Sequence, residues 1–398
     1  MELRIGPPAT GSNFYKRPAL IAALLRSLRR GNVAFLGPRR TGKTSCLEEI
    51  KANPGEFLPV LLNLEKHDTV EAWLREMVDE LRKIAELPAA KTRWATEKLA
   101  GLLGGIRKIS LPGIGGIEIE ASKTQPVWRK PADEFLGILA GCDLPVLFLI
   151  DEFPTFLKLV AKKKSRDEVE AVLNWFRAAR HELKERQVRF LVTGSIGLKN
   201  VVRGLGLAPA VNEFDMCEIP PLTEAEALGL LQSLAKDNGV SVNLAGSRHI
   251  LKLLGANWPI LLQIFVAELE EVQFAKPPTK KQLETIYRER LVHGSRNKYC
   301  DGMYDRLKEA FTEGECRLAR EVLKACALTP DGLGREDFEK IHERLVPEAN
   351  HRSLLADELD HVLDTLKHDG YLMQQTTGKQ RTRFASNILR DFWLRKTT

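Results

Sequence analysis

Gly37-Pro38-Arg39-Arg40-Thr41-Gly42-Lys43-Thr44 is the stretch on which the fold turns. It fills every fixed position of G-x-x-x-x-G-K-[ST], the pattern of a phosphate-binding loop. Asn32-Val33-Ala34-Phe35-Leu36 reads as a short buried strand ahead of it, and Ser45-Cys46-Leu47-Glu48-Glu49-Ile50 continues as a helix behind it. Gly37 and Gly42 permit backbone angles that turn successive N–H groups inward at phosphate oxygens. The helix N-terminus adds partial positive charge. The pattern assigns Lys43 to the β- and γ-phosphates of ATP and the Thr44 hydroxyl to Mg²⁺. Pro38, Arg39, Arg40, Thr41 and Ser45 complete the expected nucleotide-binding run.

Pro145-Val146-Leu147-Phe148-Leu149-Ile150-Asp151-Glu152 is the second strong signal. A continuous apolar run is what a parallel strand buried on both faces requires. It ends in two carboxylates at the strand's C-terminal edge, where open α/β sheets place their ligands. Asp151 is expected to hold Mg²⁺ through water, and Glu152 to orient and deprotonate the attacking water. Phe57 to Leu64, Val188 to Thr193 and Glu213 to Ile219 read as further sheet strands. A small hydroxyl at the tip of the Val188 strand suits the γ-phosphate or the lytic water, with Ser195 the first choice and Thr193 the second. Pro220-Pro221 then stops the sheet.

Helices are expected at Pro18 to Arg29, Thr69 to Ile84, Asp167 to Glu185 and Ile196 to Gly204, the last carrying Arg203. Ile106 to Ala121 reads as a β-hairpin insertion. Lys162-Lys163-Lys164-Ser165-Arg166 reads as a solvated loop, with phosphate-backbone contact as the alternative. From Thr223, which with Glu226 makes a capping box, the pattern becomes all helix: Thr223 to Leu234, Ser247 to Leu254, Pro259 to Val272 and Lys280 to Leu291. His293-Gly294-Ser295-Arg296 reads as a linker. Three helices (Arg317 to Ala327, Arg335 to Arg344, Ser353 to His368), two strands around Tyr371 to Gln375 and Arg381 to Ala385, and a closing helix then read as a winged helix. The fold class is α/β: a parallel P-loop core over 1–221, a small helical lid over 222–296 and a winged helix over 297–398.

A chain of 398 residues fits about two or three domains. Its net charge of +7 permits an acidic partner without demanding one. The six cysteines are scattered without a C-x-x-C pair, which excludes zinc and disulfide frameworks and suits a reducing cytoplasmic setting. The first residues do not read as a signal peptide, and the longest apolar run is too short for a membrane span.

Taken in order, these motifs resemble the predicted ATPases of the archaeal-type AAA+/STAND group. Phe14-Tyr15-Lys16-Arg17 stands where that group carries a base-gripping motif, so Phe14 and Arg17 carry over. Pro38-Arg39-Arg40, Asp151-Glu152-Phe153, Gly194-Ser195 as sensor 1 and Pro220-Pro221-Leu222 all look like group features. The lid's Gly-x-Pro motif stands here as Asn257-Trp258-Pro259, which brings Pro259 to the nucleotide. Arg203 occupies the place of an arginine finger acting on a neighbour's γ-phosphate. The resemblance implies a slow, Mg²⁺-dependent ATPase switch in a regulatory or defence role. It would couple nucleotide state to winged-helix position, homo-oligomer assembly or a protein partner.

Two rival readings stay open: a DNA-binding ATPase in replication initiation or transposition, and a nucleotide-dependent scaffold that barely hydrolyses. In the would-be recognition helix and its turn, Arg352 and Lys367 are outnumbered by Asp357, Glu358, Asp360, Asp364 and Asp369, which a phosphate backbone would repel. The wing and tail are basic, through Lys379, Arg381, Arg383, Arg390, Arg395 and Lys396 against Asp391. Nucleic-acid contact is therefore open only there.

Overall fold

The computed structural model describes residues 1–86, 126–141, 144–194, 197–294, 298–346, 352–375 and 380–397. They form two compact units, one of Lys16–Leu36 with Lys43–Ile219, the other of Met1–Tyr15, Gly37–Gly42 and Pro220–Thr398.

The first unit is built on five parallel strands, β1 (Val33–Leu36), β2 (Leu58–Asn63), β3 (Val146–Asp151), β4 (Arg189–Thr193) and β5 (Asp215–Glu218), in the order β2-β3-β4-β1-β5. Every residue of β1 and of β3 is buried, as their unbroken apolar sequences require. β4 separates the two, with Phe35 level with Thr193 and Ile150 level with Val192. The residues that follow β1, β3 and β4 are thereby brought to one edge of the sheet, the carboxyl edge where ligands bind in such folds.

Seven helices of this unit are described: α1 (Pro18–Arg30), α2 (Lys43–Ala52), α3 (Val70–Glu86), α4 (Arg129–Gly141), α5 (Phe153–Lys163), α6 (Arg166–Glu182) and α7 (Leu198–Gly204). α4 and α5 were not expected from the sequence. α5 begins directly after Glu152 and buries Phe153, Phe156, Leu157 and Val160. The Lys162 to Arg166 run is accordingly a corner between two helices. Lys162 and Lys163 close α5, where cations suit the helix C-terminus. Lys163 reaches Asp68 at 2.7 Å. Ser165 caps α6, its hydroxyl accepting from the Glu168 amide at 3.1 Å. The expected hairpin over 106–121 lies outside the described residues.

Trp73, Phe153, Phe156, Trp175, Phe176 and Phe190 form one ring cluster, with centroids 5.0–6.5 Å apart in its closest pairs. Each such pair adds about 0.5–1.5 kcal/mol beyond burial. Phe153 belongs to this cluster, so the backbone just past Asp151 and Glu152 is anchored in the core.

In the second unit, α8 (Glu224–Asp237), α9 (Leu244–Leu254), α10 (Pro259–Val272) and α11 (Lys280–Thr285) come first. The Thr223–Glu226 capping box is formed. From Ile286 to Val292 the helix widens to a π-helix. That register places Ile286 and Tyr287, then Leu291 and Val292 five positions on, all in the core; an α-helical register would rotate one pair away. α12 (Lys298–Ala310), α13 (Glu313–Leu328), α14 (Arg335–Leu345) and α15 (Arg352–His368) follow, then an antiparallel pair, β6 (Leu372–Gln374) and β7 (Thr382–Phe384), and α16 (Asn387–Thr397). Leu230, Phe265, Tyr287, Leu323, Leu366 and Trp393 belong to a single hydrophobic cluster. Tyr287 donates to Asp391 at 2.7 Å, and the Asn387 side chain donates to the Lys252 carbonyl at 3.1 Å.

Candidate nucleotide site

The loop after β1 carries two glycines in the positive-φ region, Gly37 (149°) and Gly42 (96°), and between them Arg40 at 61°. A non-glycine residue there is uncommon and costs about 1–2 kcal/mol. The Thr41 hydroxyl donates to the Pro38 carbonyl at 2.8 Å and closes the crest of the loop. The sequence then enters α2, whose first residue is Lys43.

In the first unit, Lys43 is 6 % exposed and Asp151 3 %. The Thr44 hydroxyl donates to Asp151 Oδ2 at 2.6 Å, and the Glu152 amide donates to Oδ1 at 3.0 Å. Burial raises the Asp151 carboxyl above its usual pKa, the Thr44 bond opposes this, Glu152 reinforces it and Lys43 opposes it. Thr44 and Asp151 thus present two hard oxygens side by side next to a buried ammonium. Such a donor pair suits Mg²⁺, which takes one or two protein oxygens and completes its shell with phosphate and water.

Glu152 stands in the left-handed region, φ 57° and ψ 33°, as the N-cap of α5. Three groups hold it there: the Asp151 bond to its amide, Phe153 packed in the ring cluster, and Thr155, whose hydroxyl donates to Glu152 Oε2 at 2.7 Å. A strained residue persists only where its surroundings over-determine it, and such residues gather at functional sites. Thr155 escaped the sequence reading. The signal available was the Glu152-x-x-Thr155 spacing, which puts N-cap and third helical residue face to face.

Thr193 ends β4, fully buried, and its hydroxyl has no hydrogen-bond partner among the described residues. A buried polar group left in that state calls for a functional or solvent explanation. Ser195, the first choice at this tip, lies outside the described residues. Ser45 is buried in the first turn of α2. Arg17, 5 % exposed, is the N-cap of α1. Its charge opposes the burial that pushes the Cys46 thiol up to about 12. Arg203 is exposed in the last turn of α7.

In the second unit, Phe14 is buried at 9 % exposure and Pro259 opens α10. The turn before Pro259 is fixed by Asn257, whose side chain donates to the Leu222 carbonyl at 3.1 Å while its carbonyl accepts the Leu222 amide at 3.0 Å. Gly370, between α15 and β6, faces the loop itself. It has φ +82°, and a Cβ there would sit 2.7 Å from Pro38 Cγ and 2.8 Å from Pro38 Cβ. Gly370→Ala is therefore expected to cost about 1–2 kcal/mol of stability and to weaken ATP affinity several-fold by displacing Pro38. Thermal unfolding and nucleotide titration of the same preparation check it; unchanged affinity would mean that the turn does not act on the loop.

No protein-family model and no curated protein matches the chain. Among solved structures, the Walker-type ATPase PABY2304 of Pyrococcus abyssi is 16 % identical, with a TM-score of 0.58 over 99 % of this chain and 100 % of that one. The ORC2 protein of Aeropyrum pernix, solved as ADPNP–ADP complexes, is 12 % identical, with a TM-score of 0.50 over 98 % of this chain and 97 % of that one. At these identities the likeness shows the fold alone: a parallel-sheet α/β unit together with a helical unit, as in these two structures.

Proposed function

We propose that the chain binds and hydrolyses Mg·ATP as a slow switch of the AAA+/STAND type. The observation that carries this reading is the Thr44–Asp151 pair at 2.6 Å, beside buried Lys43 and strained Glu152. Thr44 and Asp151 would hold Mg²⁺, and the ion, when bound, would neutralise charge on the phosphate oxygens. Lys43 and the loop amides bind the phosphates. Glu152, its carboxylate steadied by Thr155, orients the attacking water and takes its proton, which requires the ionised form at working pH. Thr193 supplies a hydroxyl to the γ-phosphate or to that water, a role it would share with Ser195. Phe14, Arg17 and Pro259 remain assigned to the rest of the nucleotide, and Arg203 to a neighbouring copy's γ-phosphate. The ADPNP–ADP complexes of the Aeropyrum ORC2 protein support nucleotide binding by this fold.

The approach of Gly370 to Pro38 supports coupling of nucleotide state to the C-terminal region, read as a helical lid and a winged helix in a cytoplasmic regulator. The output is then a protein partner or assembly of like copies. The basic tail supports this over a nucleic-acid role, because four of its cations have internal partners. Arg390 pairs with Asp391, Arg395 donates to the His293 carbonyl at 2.9 Å, Lys396 approaches Asp301 at 3.4 Å, and Arg381 donates to the Gly332 carbonyl at 3.2 Å. Among the described residues no helix is long and apolar enough to cross a membrane.

Calorimetric titration is expected to show saturable ATP binding that weakens when Mg²⁺ is chelated, with slow phosphate release. A chain that binds no ATP would end this reading. In parallel, duplex DNA is expected to give no stable complex at physiological salt. A tight complex lost steeply with added salt would favour the initiator reading.

A further inference from the structure

The first five residues make contacts that the proposed switch does not use. The Asn238 side chain donates to the Met1 carbonyl at 3.0 Å. The Arg4 amide donates to Gln263 Oε1 at 2.6 Å. Met1 and Leu3 pack against the hydrophobic cluster of the second unit, and the Glu2 amide donates to Asn13 Oδ1 at 2.8 Å. This segment is therefore fastened to the end of α8 and to α10. The next carbonyl along, that of Ile5, accepts a 3.0 Å bond from Arg40 Nη1. Arg40 is the one residue between the two loop glycines that stands at positive φ without being glycine.

We propose that residues 1–5 form a strap that holds Arg40, and with it the crest of the phosphate-binding loop, in the left-handed conformation, and that ties the loop to α10. Arg40 is then a positioning residue acting through its backbone. Its guanidinium grips a fixed carbonyl and so offsets the cost of its φ. The coupling path is short: Pro259 and Gln263 lie four apart on α10, within one turn on the same helix face, and Gln263 reaches Arg40 through two adjacent strap residues, Arg4 and Ile5. Movement of the first turn of α10 is thereby transmitted to the loop without any contact through the sheet. The effect on ATP rests on the function proposed above, but the mechanical link does not.

The test compares Arg40→Ala, Arg40→Gly, Gln263→Ala and the double Arg40→Ala/Gln263→Ala by titration with a fluorescent ATP analogue and by urea unfolding without nucleotide. Alanine loses the grip and keeps the steric cost, whereas glycine loses the grip and the cost together. Arg40→Gly is expected to bind up to about tenfold more tightly than Arg40→Ala and to unfold at higher urea. Gln263→Ala is expected to weaken binding a few-fold alone and to add nothing to Arg40→Ala, the signature of one shared path. Equal weakening by alanine and glycine would mean that Arg40 acts on the nucleotide by its charge, and would overturn the proposal. Additive effects of Gln263→Ala and Arg40→Ala would overturn it as well. Should the protein bind no nucleotide, the proposed function fails, yet the urea midpoints still decide the strap by the same ordering and the same additivity.

Discussion

Glu152→Gln is expected to bind Mg·ATP with close to parental affinity and to turn it over about a hundred to ten thousand times more slowly, the usual contribution of a positioned general base. Glutamine has the same length and carries the same backbone cost at φ 57°, so the residue stays where Phe153 and Asp151 hold it. Its amide oxygen can still accept the Thr155 hydroxyl, now at 2.7 Å from Oε2. What disappears is the basic oxygen. Single-turnover phosphate release together with equilibrium binding separates the two effects. Parental turnover in this variant would remove Glu152 from the base role.

Lys43→Ala is expected to behave in the opposite way, losing ATP affinity by at least about a hundredfold. Charge-assisted hydrogen bonds contribute about 1.5–3 kcal/mol each, and in the proposed site Lys43, a residue 6 % exposed, would make more than one with a triphosphate through its three donors. The substitution also removes a charge that holds the Asp151 carboxyl down. Asp151 in the variant is left more proton-loving and a poorer partner for a cation. Fluorescent-nucleotide titration with and without Mg²⁺ measures both losses. An affinity within a few-fold of the parent would show that the phosphates do not sit at this loop.

Much of the sheet's carboxyl edge was legible because it is written in local chemistry. The Gly37 and Gly42 spacing demands unusual backbone angles, and the Val146 to Asp151 run is too apolar to be anything but a central strand. Thr223 and Glu226 announce their helix start by a reciprocal bond. α5 was hidden by Pro154, which after a strand reads as a stop but sits comfortably in a helix's first turn. α12 was hidden by its polarity and Gly302, although Cys300, Met303 and Leu307 are buried at helical spacing. Contacts of long range left no trace at all. Nothing in Asp369-Gly370 foretells Pro38, and nothing in Arg4-Ile5 foretells Gln263 or Arg40. Those pairings exist only once the tertiary structure has formed.

The bond between Asn387 and the Lys252 carbonyl joins residues 135 apart in sequence, and Tyr287 and Asp391 are separated by 104. The apolar face of α9 and of the Ile286–Val292 turn is completed by a helix from the far end of the chain. Ordering the intervening segment must precede the reward of those contacts, so this half should cross its folding barrier late and in one cooperative step. A fragment cut after the Ile286–Val292 segment would leave that face bare and prone to aggregate during refolding.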